Sequence, residues 1–146
     1  MSQDGAGVDL ETSLGYLLKE ASSALRAAME AVLRPLGMTI THYSCLELLA
    51  QRPGLSNSEL ARGTFVTRQS MNVLLQNLER DGSVVRPAEA SVGKVLPTRL
   101  TERGRRSLEV ATVAVRGVEL RMLGDMTEEE QASAFRILHG MIERLR

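Results

Sequence analysis

Five side chains near the middle of the chain raise the first chemical question. Arg68, Gln69, Asn72, Val73 and Gln76 fall on one side of a helical repeat, opposite Met71, Leu74, Leu75 and Leu78 at i, i+3, i+4 and i+7. The outward set combines a guanidinium, three amides and one apolar residue. The major groove of a DNA duplex offers the complementary groups: amides pair bidentately with adenine, Arg with guanine, and Val can meet a thymine methyl. Thr67 and Ser70, at the start of the same segment, can hydrogen-bond phosphate where the helix dipole also favours an anion. Polar outer faces are common on ordinary helices, so this face alone does not separate a groove-reading helix from a solvated one.

Other reactive residue types form weaker patterns. His42 and Cys45 are spaced i, i+3, but a metal would need His139 from a distant helix or a second chain, and no metal or other cofactor is expected. Cys45 beside Leu46 reads as a small buried hydrophobe, with a thiol-based redox sensor as the alternative. The Glu128–Glu130 run suits a helix N-terminus, where negative charge is favourable. "SVGKV" lacks the first Gly and the Ser or Thr of a phosphate loop, since Ala88 and Val95 stand there. With no Ser-His-acid set either, the chain is not expected to be an enzyme.

The elements that must position these residues follow from periodicity and punctuation. Apolar residues from Leu10 to Leu33 keep a helical period until Pro35 and Gly37 stop it. Thr41 is expected to cap a second helix ending at Pro53-Gly54, and Ser56 or Asn57 a short third one. Thr67 caps the fourth, and Gly82 closes it. Two β-favouring pieces, Val84–Arg86 and Val95–Leu100, then read as a hairpin, with Pro87 and Pro97 suited to edge strands. Thr101 opens a long helix to about Leu123, with Leu108, Ala111, Val115, Val118 and Met122 on one face. Thr127 with Glu130 makes a capping box for a last helix, whose Phe135, Leu138, Ile142 and Leu145 approach a coiled-coil seam.

Charge marks the same region. Formal net charge is zero over 146 residues, yet residues 62–106 carry 9 basic and 4 acidic side chains, while both flanks are acidic. A local basic surface attracts phosphates whatever the total. Aromatics at 3% argue against a stacking platform for single strands. The start, MSQDGAGVDLE, lacks the pattern of a secretory signal, and no run of about 18 uncharged apolar residues exists. The chain reads as cytoplasmic, without a membrane partner.

Two short helices and a hairpin in this order make a winged helix-turn-helix, whose second helix enters the major groove. Arg86, Lys94 and Arg99 on the hairpin are then placed for backbone or minor-groove contact, and Ser56 and Asn57 join the DNA-facing set at the start of the preceding helix. The fold expected is mainly α with a small β-hairpin wing, a single domain over 1–146. A winged helix-turn-helix lobe spans 38–101, and dimerisation helices span 8–34 and 102–146. The outer helices carry more apolar surface than the lobe can cover; a two-fold dimer or an intrachain bundle would hide it.

The chain also resembles the MarR family of winged-helix transcriptional regulators. "GMTITHYSCLELLA" is similar to the family's second helix, "LSNSELARGTFVTRQSMNVLLQNLERDGSVVR" to its helix-turn-helix, and "LTERGRR" to the Leu-Thr-x-x-Gly opening of its fifth helix. The resemblance implies a homodimer joined through the first, fifth and sixth helices on pseudo-palindromic promoter DNA. It further implies a regulator, a repressor in the main reading, that releases DNA when a small aromatic or phenolic effector binds. Tyr16, His42 and Tyr43 are candidates to line the effector cleft; for His42 and Tyr43 the alternative is capping and partial core. In the family's thiol-sensing branch the reactive Cys lies on the first helix, where this chain has none. The family's wing usually carries Asp-x-Arg, and the aligned triplet here is Val92-Gly93-Lys94, so Lys94 would offer a point charge rather than a planar fork. A winged-helix protein-interaction module without DNA binding is the alternative function.

Overall fold

The computed structural model describes residues 7–86 and 98–146. α1 (Leu14–Leu33) starts where Ser13 Oγ accepts the Tyr16 N–H. That is one turn later than the apolar spacing from Leu10 suggests, because Asp9 folds the preceding residues into a turn: its side chain accepts the Glu11 N–H and its carbonyl the Thr12 N–H. Pro35 sits in a 3₁₀ turn, Arg34–Leu36, and Gly37 at φ 73° completes the stop. α2 (Ile40–Gln51) is capped by Thr39, whose Oγ1 accepts the His42 N–H, and not by Thr41. Thr39 has the extended backbone a cap requires, and starting there gives the half-buried Ile40 a place against the core.

Ser56 is the cap of α3 (Asn57–Thr64), in a reciprocal box with Glu59. Thr67 caps α4 (Arg68–Arg80) by accepting the Ser70 N–H. Between them Phe65 takes the left-handed conformation at φ 61°, the single non-glycine to do so among the described residues. β1 (Val84–Val85) pairs antiparallel with β2 (Arg99–Leu100), with Val84 opposite Leu100. Arg86 and Thr98, expected in the strands, lie outside them, and Val95–Pro97 lie outside the described residues. α5 (Glu102–Leu123) and α6 (Glu128–Leu145) follow, with caps at Thr101 and Thr127 as expected.

The core gathers Leu33, Leu46, Leu60, Met71, Leu75, Leu78, Val84, Leu108 and Ala111, so α1 to α5 and β1 all contribute. Burying side chains of this size stabilises the lobe by about 1.5–3 kcal/mol each. Leu74 is half-buried at its edge. Met122 does not join the core: it stays 55% exposed and lines an apolar groove with Ala21, Ala24, Leu25, Ala28 and Val118, between α1 and α5.

The Leu-Thr-x-x-Gly sequence has a structural cause. Thr101 Oγ1 accepts the Gly104 N–H and donates to the Gly82 carbonyl, and the Thr101 N–H donates to the Ser83 carbonyl. One threonine thus ties the start of α5 to the end of α4 and to the base of the hairpin. Gly104 lets the two backbones touch: a Cβ there would stand 2.1 Å from the Ser83 carbonyl oxygen. Gly104→Ala is therefore expected to destabilise the fold by about 3 kcal/mol, the upper range for overpacking, because the obstacle is backbone. Urea unfolding checks this, and a loss below about 0.5 kcal/mol would show that α5 does not seat as described.

Candidate nucleic-acid interface

α4 presents the face its sequence promised. Met71, Leu75 and Leu78 are fully buried, while Thr67, Arg68, Gln69, Ser70, Val73 and Gln76 are exposed. Its N-terminal cap leaves the Thr67 and Ser70 hydroxyls together at 3.0 Å, exposed beside the free N–H groups of the first turn. No acidic residue lies in that turn. The helix dipole and Arg68 therefore act on an approaching phosphate without a nearby carboxylate to oppose them.

Asn72 sits differently from its neighbours. It is half-buried, and its Oδ1 accepts from Arg86 Nη1 at 3.3 Å. The second terminal nitrogen of Arg86 donates to Glu79 Oε1 at 3.2 Å. Arg86 is thus a brace between the hairpin and α4, half-buried rather than free for phosphate as the sequence reading had it. Glu79 escaped that reading, although its place seven residues before Arg86, across the α4–β1 turn, is the available signal. Arg99 is exposed on β2. Lys94 lies outside the described residues. Ser56 and Asn57 are half-buried: the Ser56 hydroxyl is engaged in its cap, and Asn57 Oδ1 is buried without a hydrogen-bond partner among the described residues.

Behind the α3–α4 turn lies a cleft of about 450 Å³ between α1, α2 and α3. Its apolar lining includes Leu25, Met29, Ile40 and Val66, and its polar side chains are the Ser22, Thr41, Ser44 and Thr64 hydroxyls with the Arg26 guanidinium. Phe65 stands on the rim, 88% exposed. Tyr16, His42 and Tyr43 do not line it. Tyr16 is exposed two residues into α1. Tyr43 lies towards α5, where Thr112 hydrogen-bonds it, and its hydroxyl pKa is raised, chiefly by burial. Burial lowers the His42 pKa from the ordinary 6.5, with the Asp81 charge pulling the other way. The sequence missed Arg26, though it is the lone cation between Glu20 and Leu33.

A sequence profile described as the MarR family matches residues 36–94. The HTH-type transcriptional repressor Rv2887 of Mycobacterium tuberculosis is 43% identical over 135 residues, spanning 92% of this chain and 97% of the relative. The chain belongs to the MarR family. Two crystal structures of the MarR-family protein Rv2887 superpose on it. The complex with DNA has a TM-score of 0.74 at 41% identity and covers 89% of this chain and 98% of that one. The complex with salicylic acid has a TM-score of 0.72 at 42% identity, covering 94% and 98%.

Within this MarR-family frame Cys45 is a core residue. Its side chain is fully buried, its Sγ lies 3.8 Å from Met71 Sδ, and burial pushes the thiol pKa up to about 12. A thiol held neutral and out of contact with solvent is neither nucleophile nor sensor. Native protein at pH 8 should thus leave a disulfide reagent such as dithiobis(nitrobenzoate) unreacted, with one thiol per chain appearing on denaturation. Fast labelling of the native protein would restore the redox reading.

Proposed function

We infer that this protein is a homodimeric, DNA-binding transcriptional repressor of the MarR family, released from promoter DNA by a small aromatic acid. The carrying observation is the outward face of α4: Arg68, Gln69, Val73 and Gln76 uncovered, capped by Thr67 and Ser70, with Glu79 neutralised by Arg86. The 43%-identical relative, named a repressor and solved on DNA, supports the same reading. In it the lobe 38–101 reads a half-site, while 8–34 and 102–146 pair two chains so that two recognition helices stand about one helical turn apart, roughly 34–36 Å. Arg68, Gln69, Asn72, Val73 and Gln76 face bases; Thr67, Ser70 and Arg99 face phosphate. Ser56, Asn57, Arg86 and Lys94 frame that contact. The protein acts in the cytoplasm and performs no catalysis.

The cleft supplies the release mechanism. An aromatic ring fits its apolar wall, and the Arg26 guanidinium with the Ser22, Thr41 and Ser44 hydroxyls suits a carboxylate and a phenolic oxygen. The salicylic acid complex of the relative supports this ligand class. Because the cleft abuts the turn into α4, an occupant that prefers one placement of that turn shifts the spacing of the two reading heads. Linkage requires DNA to weaken ligand binding by the same factor.

Fluorescence anisotropy on a duplex from the protein's own promoter tests the reading. Affinity should fall steeply with added salt, as counterion release demands, and salicylate should free the duplex. Arg68→Ala with Asn72→Ala should weaken binding by about 100-fold, from the loss of two direct contacts of about 1–3 kcal/mol each. Undiminished binding by the double variant would overturn the assignment of α4.

A further inference from the structure

The Asn72–Arg86–Glu79 chain bears on which base the recognition helix selects, an inference that rests on the DNA-binding reading above. A guanidinium has donors only. The amide atom 3.3 Å from Arg86 Nη1 must therefore be the Asn72 oxygen, and the free end of the amide is the NH₂ group. Glu79 Oε1, 3.2 Å from Arg86 Nη2, holds the guanidinium in that place. Asn72 and Glu79 start from α4, and Arg86 from the residue that follows β1.

An asparagine that reads adenine in the bidentate manner uses its oxygen to accept from N6 and its nitrogen to donate to N7. Here one of the two lone pairs of that oxygen already accepts from a guanidinium, which in the DNA-bound reading stands beside the base edge. Guanidinium N–H donors there disfavour the adenine amino group, itself a donor, and favour an edge made of acceptors. Guanine presents such an edge, with N7 and O6 side by side. We propose that the Arg86 brace biases Asn72 towards donating, so that it selects a G·C pair over A·T at the position it faces. Glu79 acts as a positioning residue, since it reaches the DNA only through Arg86.

Selection of duplexes from a random library by the full-length protein tests this, followed by anisotropy on single-pair variants of the enriched site. The pair read by Asn72 is the one at which Asn72→Ala loses discrimination. Wild-type protein should prefer G·C there by about fivefold or more, the lower end for a base contact. Arg86→Met keeps the packing stem and removes the donors, so its G·C:A·T ratio should fall to about one or invert. Glu79→Gln, which keeps size and leaves Arg86 less firmly held, should lower the ratio in the same direction and serves if Arg86→Met does not fold. Selection of A·T at that pair by the wild type, equal ratios in wild type and Arg86→Met, or no pair relaxed by Asn72→Ala would each overturn the proposal while leaving DNA binding intact. Failure of the wild type to enrich any duplex would instead overturn the DNA-binding reading, and the inference with it.

Discussion

Uncovered apolar surface on α1, α5 and α6 is the constraint on which the rest of this molecule depends. α6 holds no buried residue, and its Phe135 and Leu145 are 73% and 87% exposed. Leu14, Leu17 and Leu18 on α1, and Val113, Leu120 and Met122 on α5, are exposed as well. Exposed apolar surface of this extent marks an interface rather than a solvated surface. A second copy of the chain satisfies it through a self-complementary two-fold contact. Two-fold pairing also turns one recognition helix into two, related by the symmetry of a palindromic duplex. Association and DNA reading are therefore one geometric problem.

The helix-turn-helix is tied to the helices that carry that exposed apolar surface. α5 belongs to both: its first turn is locked to the α4–β1 turn by Thr101 and Gly104, and its remainder runs along α1. A change in how α1 and α5 pair must therefore move the wing and α4 together. The cleft between α1, α2 and α3 reaches the α3–α4 turn, where Phe65 holds a left-handed backbone that costs an ordinary residue about 1–2 kcal/mol. In the proposed function, ligand and operator act on the α3–α4 turn from its two sides.

Much of this was legible in the sequence. Helix order, the caps at Ser56, Thr67, Thr101 and Thr127, and the inward face of α4 follow from local rules of side-chain spacing and backbone hydrogen bonding. So does the opening of α5 at Leu100-Thr101, although the reason for Gly104, a close approach of distant backbone, needs the tertiary fold. The misplaced cap at Thr41 shows the limit of such rules: Thr39 and Thr41 are equally able to cap, and the packing of Ile40 decides. The candidate site was less legible. A helical projection shows Asn72 facing out, but not that Arg86 reaches across from β1 to take its oxygen. The effector cleft is assembled from three helices, and its cation, Arg26, sits amid residues that otherwise read as a plain amphipathic stripe.

Sedimentation equilibrium of the purified protein tests the dimer constraint most directly. The predicted result is a single species of twice the 16.0 kDa chain mass, persisting on dilution into the nanomolar range. A folded 16.0 kDa monomer at micromolar concentration would contradict it, because the faces of α1, α5 and α6 would then have to be stable in water.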